Sequence, residues 1–313
     1  MNSKIQEYSS LIEEKLYKYF ETSFPEYKIL FDSMEYSVKN GGKRVRPLLK
    51  LLFYNACGKD DVLKAMPMAE AVEFIHTYSL IHDDLPCMDD DDFRRGKPSN
   101  HKVYGEAIAL LAGDGLLTAA FERISVWSLA GLYDTETAIK AIHELSVYAG
   151  ARGMIGGQII DIGNENNPNA TFDNLKLMDS LKTGCLISVA CALGCIAAGA
   201  SQDLIDSAKT FGEKLGLAFQ IKDDILDIET LAARLADVLN HEAHKQLCER
   251  YKLTDEETFE IEPFDLLELI GAKRGMKISG GEIDTERAAA MLLDEFRGGK
   301  IGRITLERPN ELI

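Results

Sequence analysis

An apolar helical face that runs directly into a block of negative charge constrains this chain more than any other stretch. Ala71, Val72, Phe74, Ile75, Leu80 and Ile81 lead into Asp83, Asp84, Asp89, Asp90, Asp91 and Asp92, with Arg94 and Arg95 close behind. Carboxylates set against a buried face are costly unless something neutralises them. Oxygen donors in this number suit Mg2+, which takes one or two protein carboxylates and fills its other positions with water and phosphate oxygens. The arginine pair is then the natural clamp for those phosphates. The bland alternative is a solvated acidic loop or an oxygen cage for Ca2+.

A second acidic cluster weakens the bland reading. It reads Gln220-Ile221-Lys222-Asp223-Asp224-Ile225-Leu226-Asp227. On a helix, Asp223 and Asp227 stand one turn apart on one face, with Gln220 a turn before Asp223. Like charges at that spacing repel, so a cation between them explains the pattern better than stability does. Two such helices facing each other across a cleft can hold several Mg2+ ions on one diphosphate.

Between Pro98 and Pro168, and again between Pro168 and Pro263, the chain has no proline, and its apolar residues keep three-and-four spacing. No convincing run of alternating strands appears. The expected fold is all-α: long helices packed around a central cavity. The 313 residues, 46% of them hydrophobic, are enough for one large helical core or two domains. A net charge of −16 argues against DNA or an anionic membrane as a general partner. No basic segment followed by an apolar one opens the chain, so no secretory signal is expected. The longest apolar run, 186–200, is short and rich in small residues, which reads as a close-packed internal helix and not as a transmembrane segment. The six cysteines, Cys57, Cys87, Cys185, Cys191, Cys195 and Cys248, form no paired motif and have no histidine nearby at zinc spacing. They read as reduced core thiols of a cytoplasmic protein.

Further polar groups fall at telling places. In Gly41-Gly42-Lys43-Arg44-Val45-Arg46-Pro47 the glycines let the backbone approach a ligand, and Lys43 and Arg46 share a face if a helix begins here. The spacing is not that of a phosphate-binding P-loop, and plain surface charge is the alternative. His76 precedes Asp83 by two helical turns and so projects on the same side, although a lone helical histidine is commonly a satisfied core residue. Tyr78, beside Ser79, stands one level beneath the acidic mouth, or is simply core. His82 is read as structural.

Taken together, residues 1–228 resemble the trans-polyprenyl diphosphate synthases, in the form found in bacterial farnesyl diphosphate synthases (geranyltranstransferases). The first aspartate motif is Asp83, Asp84 and Asp89, lengthened by two residues from Leu85-Pro86 onward, and the second is Asp223-Asp224-x-x-Asp227. The resemblance implies an isoprenoid-synthase helical bundle that condenses isopentenyl diphosphate with dimethylallyl or geranyl diphosphate. It implies about three Mg2+ ions held by Asp83, Asp84, Asp89, Asp223 and Asp227. Lys43, Arg46, His76 and Arg95 would bind isopentenyl diphosphate and Arg94 the allylic diphosphate. Gly153 to Asp161 is similar to the family's Gly-Gln-x-x-Asp stretch, with Gln158 and Asp161 at the cavity wall. Lys182 would touch the allylic diphosphate, while Thr183 and Gln220 would stabilise the carbocation. Tyr78 and Ser79 would limit the product to about C15. Relatives of this kind pair as homodimers, which is carried over.

The likeness to the synthases breaks after Asp227. The family's Gly-Asp turn and its Gly-Lys-x-x-Gly-x-Asp loop have no counterpart in the residues that follow. Residues 229–313 instead resemble the C-terminal helical domain of circularly permuted ribosome-biogenesis GTPases, on Ala272-Lys-Arg-Gly-Met-Lys-Ile-Ser-Gly-Gly281 and on 293–307. The two resemblances overlap at 221–229, where a junction of a fused chain would fall. No GTPase motif accompanies this tail. It carries 12 basic against 18 acidic residues, a net −6 that leaves −10 for the first 228. Lys273, Arg274, Lys277, Arg297, Lys300 and Arg303 could form an RNA-facing patch, but helix surface explains most of them. The expectation is a prenyltransferase with weak or absent turnover, with a catalytically idle diphosphate-binding fusion and a ribosome-associated protein as the competing readings.

Overall fold

The computed structural model describes residues 2–21, 25–164, 172–278 and 281–301, with the backbone alone for residues 2, 3, 172, 173 and 221–227. Its elements are α1 (Asn2–Lys18), α2 (Lys28–Lys39), α3 (Val45–Ala56), α4 (Met66–Asp83), a hairpin of β1 (Phe93–Arg94) and β2 (Lys97–Pro98), α5 (Asn100–Tyr104), α6 (Glu106–Leu129), α7 (Thr135–Ala149), α8 (Met154–Asn164), α9 (Phe172–Asp179), α10 (Cys185–Ala197), α11 (Gln202–Glu242), α12 (His244–Tyr251), α13 (Asp255–Thr258), α14 (Pro263–Lys273) and α15 (Thr285–Arg297). This is the all-α architecture the sequence predicts. Among the described residues the departures are the hairpin, whose two-residue strands are too short to leave a periodic signal, and an isolated bridge between Lys277 and Ile283. Two compact units are present, Met1–Ala218 and Phe219–Ile313, and the boundary falls within α11.

In the first unit α4 is the central element. It is apolar around most of its surface, as a helix enclosed by neighbours must be, with Glu70 and Glu73 as buried exceptions. Met68, Ala69, Ala71, Val72, Phe74 and Ile75 are fully buried, and α3 and α6 pack on it. Its partner α6 offers a seam of Ala109, Ala112, Leu116, Ala119 and Ala120, and small side chains allow the two axes to approach closely. α10 fills the core between α3 and α7, with every residue from Leu186 to Ile196 buried. The stretch Asn174–Ala197 is long and apolar enough to cross a membrane by length and composition alone, but 67% of its most apolar 18-residue window is buried inside the protein. Cys191 and Cys195 are buried here, as expected of core thiols, whereas Cys87 is exposed.

Two charged pairs lie inside this core, while the buried Lys50 donates to the Ala65 carbonyl and burial drives it well below the usual lysine range. Arg44 and Glu73, 2% and 3% exposed, meet at 2.6 Å, and the Arg44 guanidinium also donates to the Val38 carbonyl. Glu70 of α4 takes Arg123 of α6 in the same way. Pairing of this kind is what permits ionised groups at such depth.

The second unit has a core of its own. Ala232, Ala236 and Leu239 of α11, Leu247 and Tyr251 of α12, Leu266, Leu267 and Ile270 of α14, and Ala288, Ala289 and Leu292 of α15 interlock. Glu295 receives Arg250 and the Tyr251 hydroxyl, which satisfies the buried polar end of this cluster.

Candidate active site

α4 delivers the acidic groups. The helix ends at Asp83, and Asp84 caps it by donating its amide to the Leu80 carbonyl. The chain then doubles back over the buried Leu85 so that the Asp89 amide donates to the Asp83 carbonyl at 2.9 Å. The two added residues of the motif are therefore a turn that returns Asp89 to Asp83. Burial pushes the Asp83 carboxyl up to about 6, with Lys182 and Arg94 opposing the rise and Asp89 and Asp84 adding to it. A half-buried carboxylate crowded by two others is a set of hard oxygen donors short of positive charge, and that fits Mg2+.

Asp84 behaves differently from its neighbour. It is buried and accepts Arg94 Nε at 2.8 Å, with a second, closer contact from the same guanidinium. In this structure Asp84 and Arg94 satisfy each other, so the hairpin is tied to the acidic turn. The hairpin turn has Arg95 at φ 56° and Gly96 at φ 76°, both in the left-handed region that a two-residue hairpin favours. Asn40 donates to the Arg94 carbonyl at 3.1 Å and fixes the hairpin against the end of α2.

The Arg95 guanidinium turns away from Arg94 and donates to the Gly41 carbonyl. It lies directly over Gly42, where any added Cβ would come within 2.6 Å of its Nη1. Gly42 is therefore required for this close approach. One part of the sequence expectation fails here. Arg44 is the N-cap of α3 and is left-handed (φ 47°), so the helix starts only at Val45 and Lys43 precedes it on an exposed turn. Lys43 and Arg46 do not share a helical face, because the left-handed glycines and Arg44 bring the chain into the helix through a turn.

Arg46 Nη1 lies 3.4 Å from His76 Nε2. The Arg46 Nε is wholly enclosed with no partner among the described residues. Burial, with Arg46, Arg95, Arg44 and Arg94 around it, drives His76 well below the ordinary histidine range, so it is neutral here. Arg44 has its own carboxylate in Glu73. Among the described residues, Arg46 and Arg95 form no ion pair of their own, and Glu73 is the carboxylate that acts on both, some two helical turns from Asp83.

A third wall comes from α8 and the helix after it. The segment Ser180–Gly184, which leads into α10, is a π-helical turn, a local widening that recurs at functional sites. It carries Lys182, which pairs with Asp161 of α8, and Thr183. α8 reaches the turn because Gly157 has no side chain: a Cβ there would collide with the Lys182 backbone amide. Gln158 has an enclosed amide nitrogen without a partner among the described residues. Below Asp83, the enclosed Tyr78 hydroxyl is likewise unpartnered, and burial beside Asp83 pushes it up to about 12. Its ring stands edge-on to His82 at 5.6 Å, and Ser79 donates to the His76 carbonyl at 2.9 Å. His82 contacts the Leu110 carbonyl at 3.0 Å, which fits its structural reading.

The first unit thus brings together Asp83, Asp84, Asp89, Arg94 and Lys182 on one side, and Arg46, His76 and Arg95 on the other. Gln220 is half-buried in α11, in the second unit. Asp223 and Asp227 fall on helical backbone one turn apart, but their side chains lie outside the described residues, as does all of Arg303. Sequence reasoning missed Glu73 and Asn40. A glutamate inside an otherwise apolar helix requires a cation, and that signal could have pointed from Glu73 to Arg44.

Residues 27–244 match the profile of the polyprenyl synthetase family. This chain belongs to that family. Among curated family members, it is 49% identical over 197 residues to the farnesyl diphosphate synthase of Bacillus subtilis, covering 63% of this chain and 66% of that one. It is 44% identical over 225 residues to the farnesyl diphosphate synthase of Geobacillus stearothermophilus, covering 72% of this chain and 74% of that one. The chain spans only 55% of the length of geranylgeranyl pyrophosphate synthase 3 of Arabidopsis thaliana. Solved family structures include an FPP/GFPP synthase from Zymomonas mobilis, with TM-score 0.67 and 29% identity, covering 93% of this chain and 98% of that one. A geranyltranstransferase from Thermotoga maritima superposes with TM-score 0.63 at 30% identity, covering 95% and 99%.

Proposed function

We propose that this polyprenyl synthetase family member is a Mg2+-dependent prenyltransferase that joins isopentenyl diphosphate to dimethylallyl or geranyl diphosphate and releases a trans product of about C15. The observation that carries this reading is the pairing of two incomplete charge sets in one unit: crowded carboxylates at Asp83 and Asp89, and the cations Arg46 and Arg95 around a neutral His76. Two diphosphates and their metal ions complete both.

By the family resemblance, Asp83, Asp84, Asp89, Asp223 and Asp227 are the residues that would hold about three Mg2+ ions, which when bound withdraw charge from the leaving diphosphate. Lys182 and Arg94 add fixed positive charge on the allylic side, and their pairs with Asp161 and Asp84 hold them ready. Lys43, Arg46, His76 and Arg95 grip the other diphosphate and place its double bond against the allylic carbon. By the same resemblance, Thr183 and Gln220 are the residues whose oxygen dipoles would stabilise the developing cation. Tyr78 and Ser79 close the floor beneath the growing chain, and the apolar walls keep water from the cation. No side chain serves as a covalent nucleophile.

Residues 229–313 are proposed as a separate helical segment that replaces the family's terminal lysine loop, and the expected consequence is a turnover below that of a complete synthase. The independent core of the second unit supports this division. The likeness of the segment to a ribosome-biogenesis GTPase tail has less support as a working contact with ribosomes, because Lys273 pairs with Glu257 at 2.7 Å and Arg274 lies on Glu295.

Equilibrium titration with isopentenyl diphosphate separates binding from turnover. Arg46→Met removes one charged donor and is expected to weaken binding by about 10- to 100-fold. Equal affinity in Arg46→Met and the parent chain would overturn the assignment of the basic pocket.

A further inference from the structure

The second unit contains a polar cluster that the prenyltransferase reading does not use. His244 and Cys248 stand one turn apart on α12, with Cys248 Sγ 3.6 Å from His244 Nε2. This corrects the sequence expectation that no histidine lies near a cysteine at metal-binding spacing. A search for paired cysteines passes over a mixed pair on one helical turn. Asp255, the first residue of α13, completes the group with Oδ1 at 3.1 Å from the same Nε2. One ligand atom from each residue lies within 4.8 Å of the other two.

The hydrogen bonds around the imidazole decide what it faces. Asn240 donates its amide nitrogen to the Thr258 carbonyl at 3.1 Å, so its Oδ1 must be the atom 2.9 Å from His244 Nδ1. Nδ1 therefore carries a hydrogen, and Nε2 is the ring atom that faces the Asp255 carboxylate oxygen and the Cys248 sulfur. Imidazole, thiol and carboxylate atoms converging on one point can share protons, or can share a metal ion once those protons leave. An outer partner such as Asn240, holding the ring in one tautomer, is also the usual support of a metal-bound histidine.

The geometry points to a Zn2+-class transition-metal site formed by His244 Nε2, Cys248 Sγ and Asp255 Oδ1, with water in the fourth position. Bonds of the usual Zn2+ lengths in a tetrahedron separate neighbouring ligand atoms by about 3.3–3.7 Å, close to the spacings at hand. Imidazole, thiolate and carboxylate together are a borderline-soft set, suited to Zn2+ or Co2+ and ill suited to Mg2+. On binding, the Cys248 S–H bond gives way to an S–metal bond and its proton passes to solvent. The frame is already set: the Thr254–Glu257 capping box fixes the start of α13. His244 and Asp255 also line a cavity of about 400 Å³ with Asn240 and Thr258, which gives room for the water.

The test uses the untagged full-length chain, stripped with chelator and reloaded with Zn2+ or Co2+ in excess Mg2+. About one Zn2+ per chain is expected, and Co2+ is expected to give a thiolate charge-transfer band that Cys248→Ser abolishes. His244→Gln should release the metal, and Asn240→Ala, which keeps all three ligands, should weaken it by about 10- to 100-fold. A metal content near zero, a cobalt band that survives Cys248→Ser, or full affinity in Asn240→Ala would each overturn the site. A ring held by a second proton in place of a metal gives the first of these results.

Discussion

Asp83 shows at the level of one residue how the site holds unfavourable charge in readiness for a ligand. Its carboxyl titrates near 6 instead of its ordinary 3.8 because burial disfavours the anion. The folded state therefore binds more protons than the unfolded state between these values, and stability falls as pH rises through that window. At neutral pH the cost of keeping the anion is on the order of 1–3 kcal/mol. Asp83→Asn is accordingly expected to raise the melting temperature of chelator-treated protein at pH 7.5 while abolishing Mg2+-dependent turnover. In the parent chain, turnover should decline as pH falls through about 6, since protons then compete with the metal. A variant that melts lower in the absence of metal would contradict this. Most of these residues were legible in the sequence, since carboxylates and arginines in apolar surroundings announce their chemistry. What could not be read was the mutual pairing of Asp84 with Arg94, because a list of charges does not say which are already spent on one another.

At the level of elements, the helices followed from spacing and the absence of proline, and they were found where expected. The connections were harder. The Arg95–Gly96 hairpin and the left-handed entry into α3 rest on two or three positive φ angles each, which leave no periodic trace, and for that reason the condition for Lys43 and Arg46 to share a helical face is not met. The π-helical turn at Lys182 is equally silent in the sequence, although Gly157 opposite it hints at close contact. Gly157→Ala is expected to push the turn outward and shift Lys182. A displacement of about 1 Å can cost a site on the order of 100-fold in rate. Single-turnover kinetics should show that loss in the chemical step with far-UV circular dichroism unchanged, whereas an unaffected rate would remove the turn from the mechanism.

For the whole molecule, two cores imply two melting events. Leu267 is fully buried among the helices of the second unit. Leu267→Ala is expected to cost about 2–5 kcal/mol there, lowering one calorimetric transition and leaving the other in place. A single transition that shifts as a whole would contradict the division. The sequence reading puts a junction at 221–229, while the family profile runs on to residue 244 and the compact units part at Ala218 and Phe219, within the same long helix. Sequence likeness ends where the residues change, and packing units part where contacts thin, so the two boundaries need not coincide. The central claim, that the carboxylates around Asp83 and the cations around His76 serve one prenyl transfer, is tested most directly by incorporation of labelled isopentenyl diphosphate. Purified full-length protein would be given geranyl diphosphate with and without Mg2+. A C15 product that requires Mg2+, formed more slowly than by a complete synthase, is the expected result; folded protein that yields no product, or yields it equally without Mg2+, would contradict the account.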